Sequence, residues 1–356
     1  MKGLVLTGGF GTRLRPITYT SQKQLIPVAN KPIIFYAIED LVEAGIEEIG
    51  IVYGPNKEQV METIGDGKRW NARITYIEQD YPKGLAHAVL IAKDFIKDDS
   101  FVMYLGDNLL KEGIREFVQD FENSDCEASI LLTHVKNPQL FGVATLDEEG
   151  NVIQLIEKPK EPPSDLALVG IYAFRTSIFD AVTGIMPSWR DELEITDAIQ
   201  WLMDNKFRVN ASVTTDWWKD TGKPEDILEA NHLVLDGISR KIEGKIEDNV
   251  EMRGRIQIGK GTVIKEGTII RGPCIIGKNC VIGPNTYVGP YTSVGNNVVI
   301  DSTEVESSII MDDTHIHDGK RIFDSLIGRG CEINSSEISV PRGQKFVLGD
   351  HSRIAL

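Results

Sequence analysis

Between Ile246 and Ile300 an aliphatic side chain returns every six residues without a slip: Ile246, Met252, Ile258, Ile264, Ile270, Ile276, Ile282, Val288, Val294 and Ile300. Neither the helical period of 3.6 nor the strand period of 2.0 produces such a row. A period of six fits a solenoid in which each hexad is a short strand plus a turn. Three hexads then close one triangular coil with the aliphatic residues stacked inside. Four positions after each aliphatic residue comes a smaller one, among them Thr262, Thr268, Cys274, Cys280, Thr286 and Thr292, until Glu304 breaks the series. Glycine follows directly at Gly259, Gly277, Gly283, Gly289 and Gly295, which reads as glycine turning the coil corners. The phase slips after Ile300, resumes at Ile310, Ile316 and Ile322, and shifts again to Ile327 and Ile333. These slips are expected to be loops or a degraded cap, on a stack of about five coils.

The remaining chain obeys a different rule. At 356 residues it exceeds one compact domain. The division expected is a domain over 1–235, a linker over 236–245, the solenoid over 246–340 and a tail over 341–356. From Lys2 to about Leu235 short apolar runs alternate with helical patterns. Leu4-Val5-Leu6, Glu48 to Tyr53, Arg73 to Glu78 and Phe101 to Leu105 read as strands, with helices from Pro32 to Gly45, Lys57 to Ile64 and Leu85 to Phe95 between them. This β-α-β-α succession predicts an α/β fold with a doubly wound, mostly parallel, Rossmann-like sheet. After Asp125 hairpin-like strands follow, Ser129 to Val135, Gly142 to Asp147 and Val152 to Glu157, then helix from Ile195 to Met203. Ligands of open α/β sheets gather at the carboxyl ends of the strands, so chemistry is expected after Leu6, after Leu105 and near Glu157.

Charge narrows the choice of ligand. Fifty-three acidic against 38 basic side chains leave −15 and a pI near 4.9, which disfavours nucleic acid and anionic membrane as partners. Any phosphate must then be held by a local basic pocket. Cys126, Cys274, Cys280 and Cys331 form no CxxC pair, and no segment has the apolar length of a signal peptide or a membrane span, so a reducing, cytoplasmic setting is expected.

Such a pocket is suggested by Leu6-Thr7-Gly8-Gly9-Phe10-Gly11-Thr12-Arg13-Leu14 after the first strand. A glycine-rich turn there lets backbone N–H groups approach phosphate oxygens. It is neither a Rossmann GxGxxG nor a Walker loop, which needs GK[ST]. Followed by Lys23-Gln24-Leu25-x-Pro27 and Asn30-Lys31-Pro32, it resembles the signature of the nucleoside-diphosphate-sugar pyrophosphorylases. Within them it is most similar to the long-form thymidylyltransferases, and Gln24 after the lysine favours that branch. The hexad array resembles the left-handed parallel β-helix of hexapeptide-repeat proteins, which the long form carries as its tail.

The resemblance implies roles by residue. Leu6, Gly8, Gly9, Gly11, Thr12 and Arg13 would line the nucleotide, with Gln79 and Gly84 at the base. A glutamine amide offers the donor and acceptor that thymine or uracil requires. Asp107, in Leu105-Gly106-Asp107-Asn108, and Asp220, in Trp217-Trp218-Lys219-Asp220, would hold Mg²⁺, which takes few protein oxygens and completes its shell with phosphate and water. Glu157 would accept sugar hydroxyls and Lys158 would meet the 1-phosphate. Gly142, Leu168 and Arg190 would complete the sugar-phosphate pocket. Arg13, Lys23, Asp107, Lys158 and Asp220 are the expected catalytic set. Phe141 replaces the tyrosine frequent in short forms, and Leu168-Val169 replaces Val-Thr, which bears on the choice of sugar.

The activity implied is transfer of a nucleotidyl group from dTTP to glucose 1-phosphate, the first step of deoxysugar nucleotide synthesis, in a homo-oligomer joined through the β-helix. Three alternatives stand beside it. One is a UTP-using enzyme. Another is a bifunctional uridylyltransferase/acetyltransferase, for which His315 and His317 are the candidate acyl-transfer residues. The third is a non-catalytic regulatory subunit, against which the retained charges at Arg13, Lys23, Asp107, Lys158 and Asp220 argue. His87, on the helix beside the base pocket, is read as structural.

Overall fold

The structure is a computed structural model that describes residues 1–317 and 320–334. Two compact units divide it: Met1–Gly11, Ser21–Leu25 and Ile33–Asp220 form the first, and Thr12–Thr20, Ile26–Pro32 and the chain from Thr221 onward the second.

Within the first unit the strands are β1 (Lys2–Leu6), β2 (Glu48–Tyr53), β3 (Arg73–Glu78), β4 (Phe101–Leu105), β5 (Asn108–Leu110), β6 (Ala128–His134), β7 (Gly142–Leu146), β8 (Val152–Glu157), β9 (Leu166–Phe174), β10 (Val209–Val213) and β11 (Trp218–Asp220). The longer helices are α1 (Ile33–Glu43), α2 (Lys57–Ile64), α3 (Leu85–Ile91), α4 (Arg115–Glu122), α5 (Ile178–Gly184) and α6 (Ile195–Asp204), and a single helical turn, Lys93–Ile96, follows α3. One sheet runs β8-β7-β9-β4-β1-β2-β3, with β6 pairing both β9 and β10. Its β4-β1-β2-β3 half is parallel, as the β-α-β-α rhythm requires, and β9 runs antiparallel to β4, β6 and β7. The Rossmann-like sheet is thus as expected. β9 is one of the strands that periodicity did not reveal: Leu166–Phe174 is buried on both faces and reads as a continuous apolar run without alternation. One core joins β4, β6 and β9 to α3, α5 and α6, and a second joins β1 and β2 to α1 and α4.

The register fixes where the loops emerge. Leu6 pairs with Leu105 and with Val52, and Tyr53 with Glu78, so β4, β1, β2 and β3 end side by side. Immediately beyond those ends stand Thr7-Gly8, Gly106-Asp107, Gly54 and Gln79.

The second unit carries the left-handed β-helix. Its strands form three parallel sheets, two of six strands and one of five among the described residues. All ten hexad positions point inward, and Ile264, Ile270, Ile282, Val288, Val294 and Ile300 are fully buried. Burying each such side chain contributes about 1.5–3 kcal/mol. Strand pairing begins earlier than the hexads suggest: Lys241–Ile242 already pairs with Ile256–Ile258, so the last part of the 236–245 stretch expected as a linker, 241–245, belongs to the first coil. The slips are corrected too. They are neither loops nor a cap but five-residue steps inside regular coils, because Val305 takes the inward place in the row Val288, Val305, Ile322 and Glu304 turns outward. The expected 341–356 tail lies outside the described residues.

The corners also differ from expectation. Most are turned by asparagine, aspartate or serine at positive φ, including Asn249, Asn279, Asn285, Asn297 and Asp313, whose short polar side chains tolerate that conformation. The glycines after the aliphatic residues answer mainly to stacking. A Cβ on Gly277 would stand 2.4 Å from the Gly295 carbonyl of the next coil. Inward threonines bond between coils, as where Thr262 Oγ1 donates to the Gly277 carbonyl at 2.7 Å. Among the described residues no helix is long and apolar enough to cross a membrane.

Ile282 points inward and its neighbour Val281 outward. Ile282→Ala should therefore cost about 2–5 kcal/mol of stability, and Val281→Ala roughly 1 kcal/mol or less. Chemical denaturation followed by circular dichroism measures both, and equal losses would contradict the inward assignment.

Candidate functional site

Thr7 closes β1 by giving both its N–H and its hydroxyl to the Val52 carbonyl, at 2.8 and 2.9 Å. The chain then turns through Gly8 and Gly9. Gly8 lets the Gln79 amide come close, since a Cβ there would lie 2.7 Å from Gln79 Oε1 and push that side chain aside. A Cβ on Gly54 would lie 3.3 Å from the Gly8 carbonyl. The loop is propped by Gln22, whose buried amide donates to the Thr7 carbonyl at 2.5 Å, the Gly9 carbonyl at 3.2 Å and Gln24 Oε1 at 2.9 Å. Asn56 bonds the other end of that amide. Nothing in the spacing of Gln22 announced this role. Its place directly before Lys23 was the available hint.

Lys23 itself is buried, with its ammonium 2.5 Å from Asp107 and 3.7 Å from Asp220. The two carboxylates meet because the short strands β5 and β11 pair antiparallel, with Asp220 opposite Asn108. Trp218 anchors that ladder, its indole N–H reaching Asn108 Oδ1 at 2.9 Å and the Val169 carbonyl at 3.0 Å. Gly106 brings Asp107 close to β1: its N–H donates to the Leu6 carbonyl at 3.0 Å, and a Cβ would lie 2.9 Å from the same oxygen. Two carboxylates converging on one ammonium are a pair of hard oxygen donors around a cation-sized position, and they fit Mg²⁺ with its remaining ligands from phosphate and water.

At the end of β3, Gln79 is buried, and its backbone N–H continues the sheet by bonding the Tyr53 carbonyl. Its amide lies 3.1 Å from His87 Nδ1. Burial first, and Lys83 second, hold the His87 ring below its ordinary pKa, opposed by Asp80, so the neutral ring accepts from the amide and leaves Oε1 free to meet a donor. His87 is therefore more than a packing residue: it orients Gln79. Gly84, at φ +99, allows a close crossing, since a Cβ would stand 2.3 Å from the Leu193 carbonyl. There Leu193 N–H donates to the Lys83 carbonyl and Ala86 N–H to the Leu193 carbonyl. The loop of residues 79–84 is thereby tied to the loop that bears Arg190.

A second gathering lies at the end of β8. Glu157 stands 3.4 Å from the Lys158 ammonium and 3.5 Å from the Arg190 guanidinium, which also meets Glu192 and Glu194. Thr196, at the start of α6, donates to Glu157 Oε2 at 3.4 Å, a member of the site that the sequence did not single out. Burial raises the Glu157 pKa, and the neighbouring Glu194 adds to this while Lys158 and Arg190 oppose it. Gly142 lines the same pocket: a Cβ would be 2.5 Å from Leu168 Cδ1, 2.8 Å from Thr196 Cγ2 and 3.1 Å from Glu157 Oε2. Lys158, at φ +44, is held by its N–H to the Phe141 carbonyl.

The first unit thus brings together Lys23, Asp107 and Asp220 as one cluster and Gly142, Glu157, Lys158, Leu168 and Arg190 as another, with Leu6, Gly8, Gly9 and Gln79 along the strand ends. Thr12 and Arg13 lie on an exposed 3₁₀ turn, Thr12–Leu14, grouped with the second unit, and Gly11, at φ +58, leads into it. His315 and His317 stand on a solenoid strand, where His317 Nδ1 is 2.5 Å from Asp301.

The His87 ring should titrate below its ordinary value of 6.5 when followed by NMR, and Lys83→Ala should raise it. Because the folded state disfavours the imidazolium, the stability present above the unfolded value of 6.5 is lost as pH falls from there through the lower folded pKa. A ring titrating above 6.5 in the folded protein would contradict its assignment as the acceptor.

The family profile described as nucleotidyl transferase matches residues 2–237, and that of the GMPPB C-terminal domain matches residues 270–355. The low-salt glycan biosynthesis nucleotidyltransferase Agl11 of Haloferax volcanii is 51% identical over the whole of both chains. A glucose-1-phosphate thymidylyltransferase of Streptomyces antibioticus is 48% identical over 100% of this chain and 99% of its own. Among solved structures, a putative glucose-1-phosphate thymidylyltransferase from Bacillus anthracis in complex with a sucrose aligns at TM-score 0.63 and 36% identity, covering 68% of this chain and 98% of that one. With the strand-end loops, the carboxylate pair and these relatives in agreement, the chain belongs to the nucleotidyl transferase family, as a nucleotidyltransferase of the sugar-phosphate type.

Proposed function

We propose that the protein transfers a thymidylyl group from dTTP to α-D-glucose 1-phosphate, giving dTDP-glucose and pyrophosphate. The observation that carries this reading is the convergence of Asp107 and Asp220 on the Lys23 ammonium beside the glycine-rich loop. A sugar-phosphate oxygen attacks the α-phosphorus in line, the bond to the bridging oxygen breaks, and pyrophosphate departs with that electron pair. The nucleophile is already anionic, so no general base is required, and the protein's work is positioning and charge stabilisation.

Lys23 would serve the α-phosphate, held in readiness by its two carboxylates. Arg13 would serve the β- and γ-phosphates. Asp107 and Asp220 would hold Mg²⁺, which supplies neutralisation of phosphate charge when bound. Gln79, oriented by His87, would present its carbonyl to the N3–H of thymine. Lys158 and Arg190 would receive the sugar 1-phosphate, and Glu157 the sugar hydroxyls. The preference for thymine over uracil rests on one methyl group, worth ~1–3 kcal/mol. Support for dTTP comes from Gln24 and from the thymidylyltransferase relative that matches the chain from end to end. The solenoid's outward faces suit self-association into a homo-oligomer.

Lys23→Ala should fold normally and lower kcat by about 10²–10³, measured as pyrophosphate release. A kcat within a few-fold of the unaltered protein would overturn the assignment. Gly142→Ala, which drives a methyl into Leu168 and Thr196, should raise KM for the sugar phosphate by about 10–100-fold and leave KM for the nucleotide near its original value. A panel of dTTP, UTP, CTP and GTP against several sugar 1-phosphates tests the substrate pair. A kcat/KM for UTP exceeding that for dTTP would reassign the enzyme as a uridylyltransferase.

A further inference from the structure

A buried glutamine stands one residue before Lys23. Gln22 is 4% exposed, and its Nε2 donates to the Thr7 carbonyl at 2.5 Å, to Gln24 Oε1 at 2.9 Å and to the Gly9 carbonyl at 3.2 Å. Two hydrogens thus serve three oxygens, and the longest contact, to Gly9, shares one of them. The amide is also pinned against turning over. Its Oε1 accepts from Asn56 Nδ2 at 2.8 Å, and a flip would set that oxygen against two backbone carbonyls. Its backbone N–H donates to Gln59 Oε1 at 3.1 Å. Asn56 immediately precedes α2, where an asparagine side chain ordinarily caps the helix. Here it makes no cap bond, and its amide goes to Gln22 instead. All these residues, with Lys23, Asp107 and Asp220, belong to the first unit.

What the amide does to the glycine-rich loop follows from the planar peptide bond. In a trans peptide the carbonyl of one residue and the N–H of the next point in opposite directions. The Thr7–Gly8 and Gly9–Phe10 bonds are both trans. Holding the Thr7 and Gly9 carbonyls toward Gln22 therefore turns the N–H groups of Gly8 and Phe10 away from it. Among the described residues neither of those N–H groups has a protein acceptor. The loop's own packing does not impose this arrangement: neither Gly8 nor Gly9 has a positive φ, and a Cβ on Gly9 would meet nothing within 4 Å. A glycine pair left alone samples many conformations of similar energy. The side chain of Gln22 selects one of them.

We propose that Gln22 is a positioning residue for the nucleotide, turning the N–H groups of Gly8 and Phe10 toward the triphosphate and tying their loop to the turn that carries Lys23. Its role rests on the reading of the chain as a dTTP-using nucleotidyltransferase given above. Backbone N–H groups hold an anion without adding a charged side chain. Through Gln24 the same amide reaches the far side of Lys23, so the loop and the lysine keep a fixed separation. Glutamine suits the task because its one NH₂ group reaches both carbonyls while its oxygen is held from behind. An apolar side chain leaves those carbonyls without a donor, and a glutamate sets negative charge against them.

Gln22→Met and Gln22→Glu in the full-length protein test this, with Asn56→Ala as the milder change. Methionine keeps the length and removes donor and acceptor together. Glutamate keeps the length and the acceptor for Asn56 and loses only the donor. Steady-state pyrophosphate release from dTTP and glucose 1-phosphate should show KM for dTTP raised about tenfold in both and about threefold in Asn56→Ala, with KM for glucose 1-phosphate within about twofold of the unaltered protein. Phe179→Leu is the structural control: Phe179 stacks on Phe101, at the end of β4 opposite the site loops. It should lower thermal stability and leave both KM values unchanged. A folded Gln22→Met or Gln22→Glu with an unchanged KM for dTTP overturns the inference. So does an equal rise in both KM values, which a general loosening of the unit would produce. If neither variant folds, Asn56→Ala decides by the same two criteria. Lys23→Ala, run in the same assay, separates this inference from the reading beneath it. If it is inactive while the Gln22 variants keep the unaltered KM for dTTP, only the role of Gln22 fails. If it is active, the reading of the site fails and the role of Gln22 with it.

Discussion

A buried lysine ammonium flanked by two carboxylates is the arrangement on which the first unit's site depends. Burying one charge unpaired would cost several kcal/mol. Lys23 is therefore stable only where Asp107 and Asp220 are delivered to it, and its ammonium in turn offsets their partly exposed charges. The β5–β11 ladder, the Trp218 anchor and the tight crossing at Gly106 all serve that delivery. The same geometry holds hard oxygen donors beside a loop that can approach phosphate, which is how an acidic chain comes to handle highly charged substrates.

The other recurring device is a backbone without a side chain at a crossing. Gly84 lets its backbone meet that of Leu193 at a distance no Cβ would tolerate, and Gly8 and Gly142 leave room for the side chains of Gln79 and of Leu168 and Thr196. Where these crossings occur, loops from distant parts of the chain become one surface. The contact at Gly84 is especially consequential, since the backbone bonds between Lys83, Leu193 and Ala86 link the loop of Gln79 to the loop that bears Arg190. Glycine thus does different work in the two units: close approach of loops in one, stacking of coils in the other.

Much of this was legible from residue order because the signals are local or periodic. The parallel strands, the glycine-rich loop and the inward solenoid row follow from patterns a few residues long. Strand β9 was hidden because a strand buried on both faces shows no alternation. The corner residues were misassigned because glycine is conspicuous, whereas the asparagines at positive φ are recognised only once the backbone is seen. Val305 escaped because a five-residue step breaks the period while preserving the inward row. Thr196 and Asn231 act through hydrogen bonds to partners remote in the chain, and Gln22 and His87 through side-chain bonds across loops, and no spacing encodes such partners.

By itself the sequence determined two things: a six-residue repeat that only a stacked solenoid can bury, and a phosphate-type loop after the first strand of an α/β sheet. Both are properties of neighbouring residues, so chain order is sufficient to state them. The tertiary structure decided which carboxylates share Lys23, which loops touch across missing side chains, and how one buried amide ties the glycine-rich loop to the turn that carries Lys23. Those are matters of strand register and of hydrogen-bond satisfaction in a dry interior, fixed only when segments far apart in sequence are packed together.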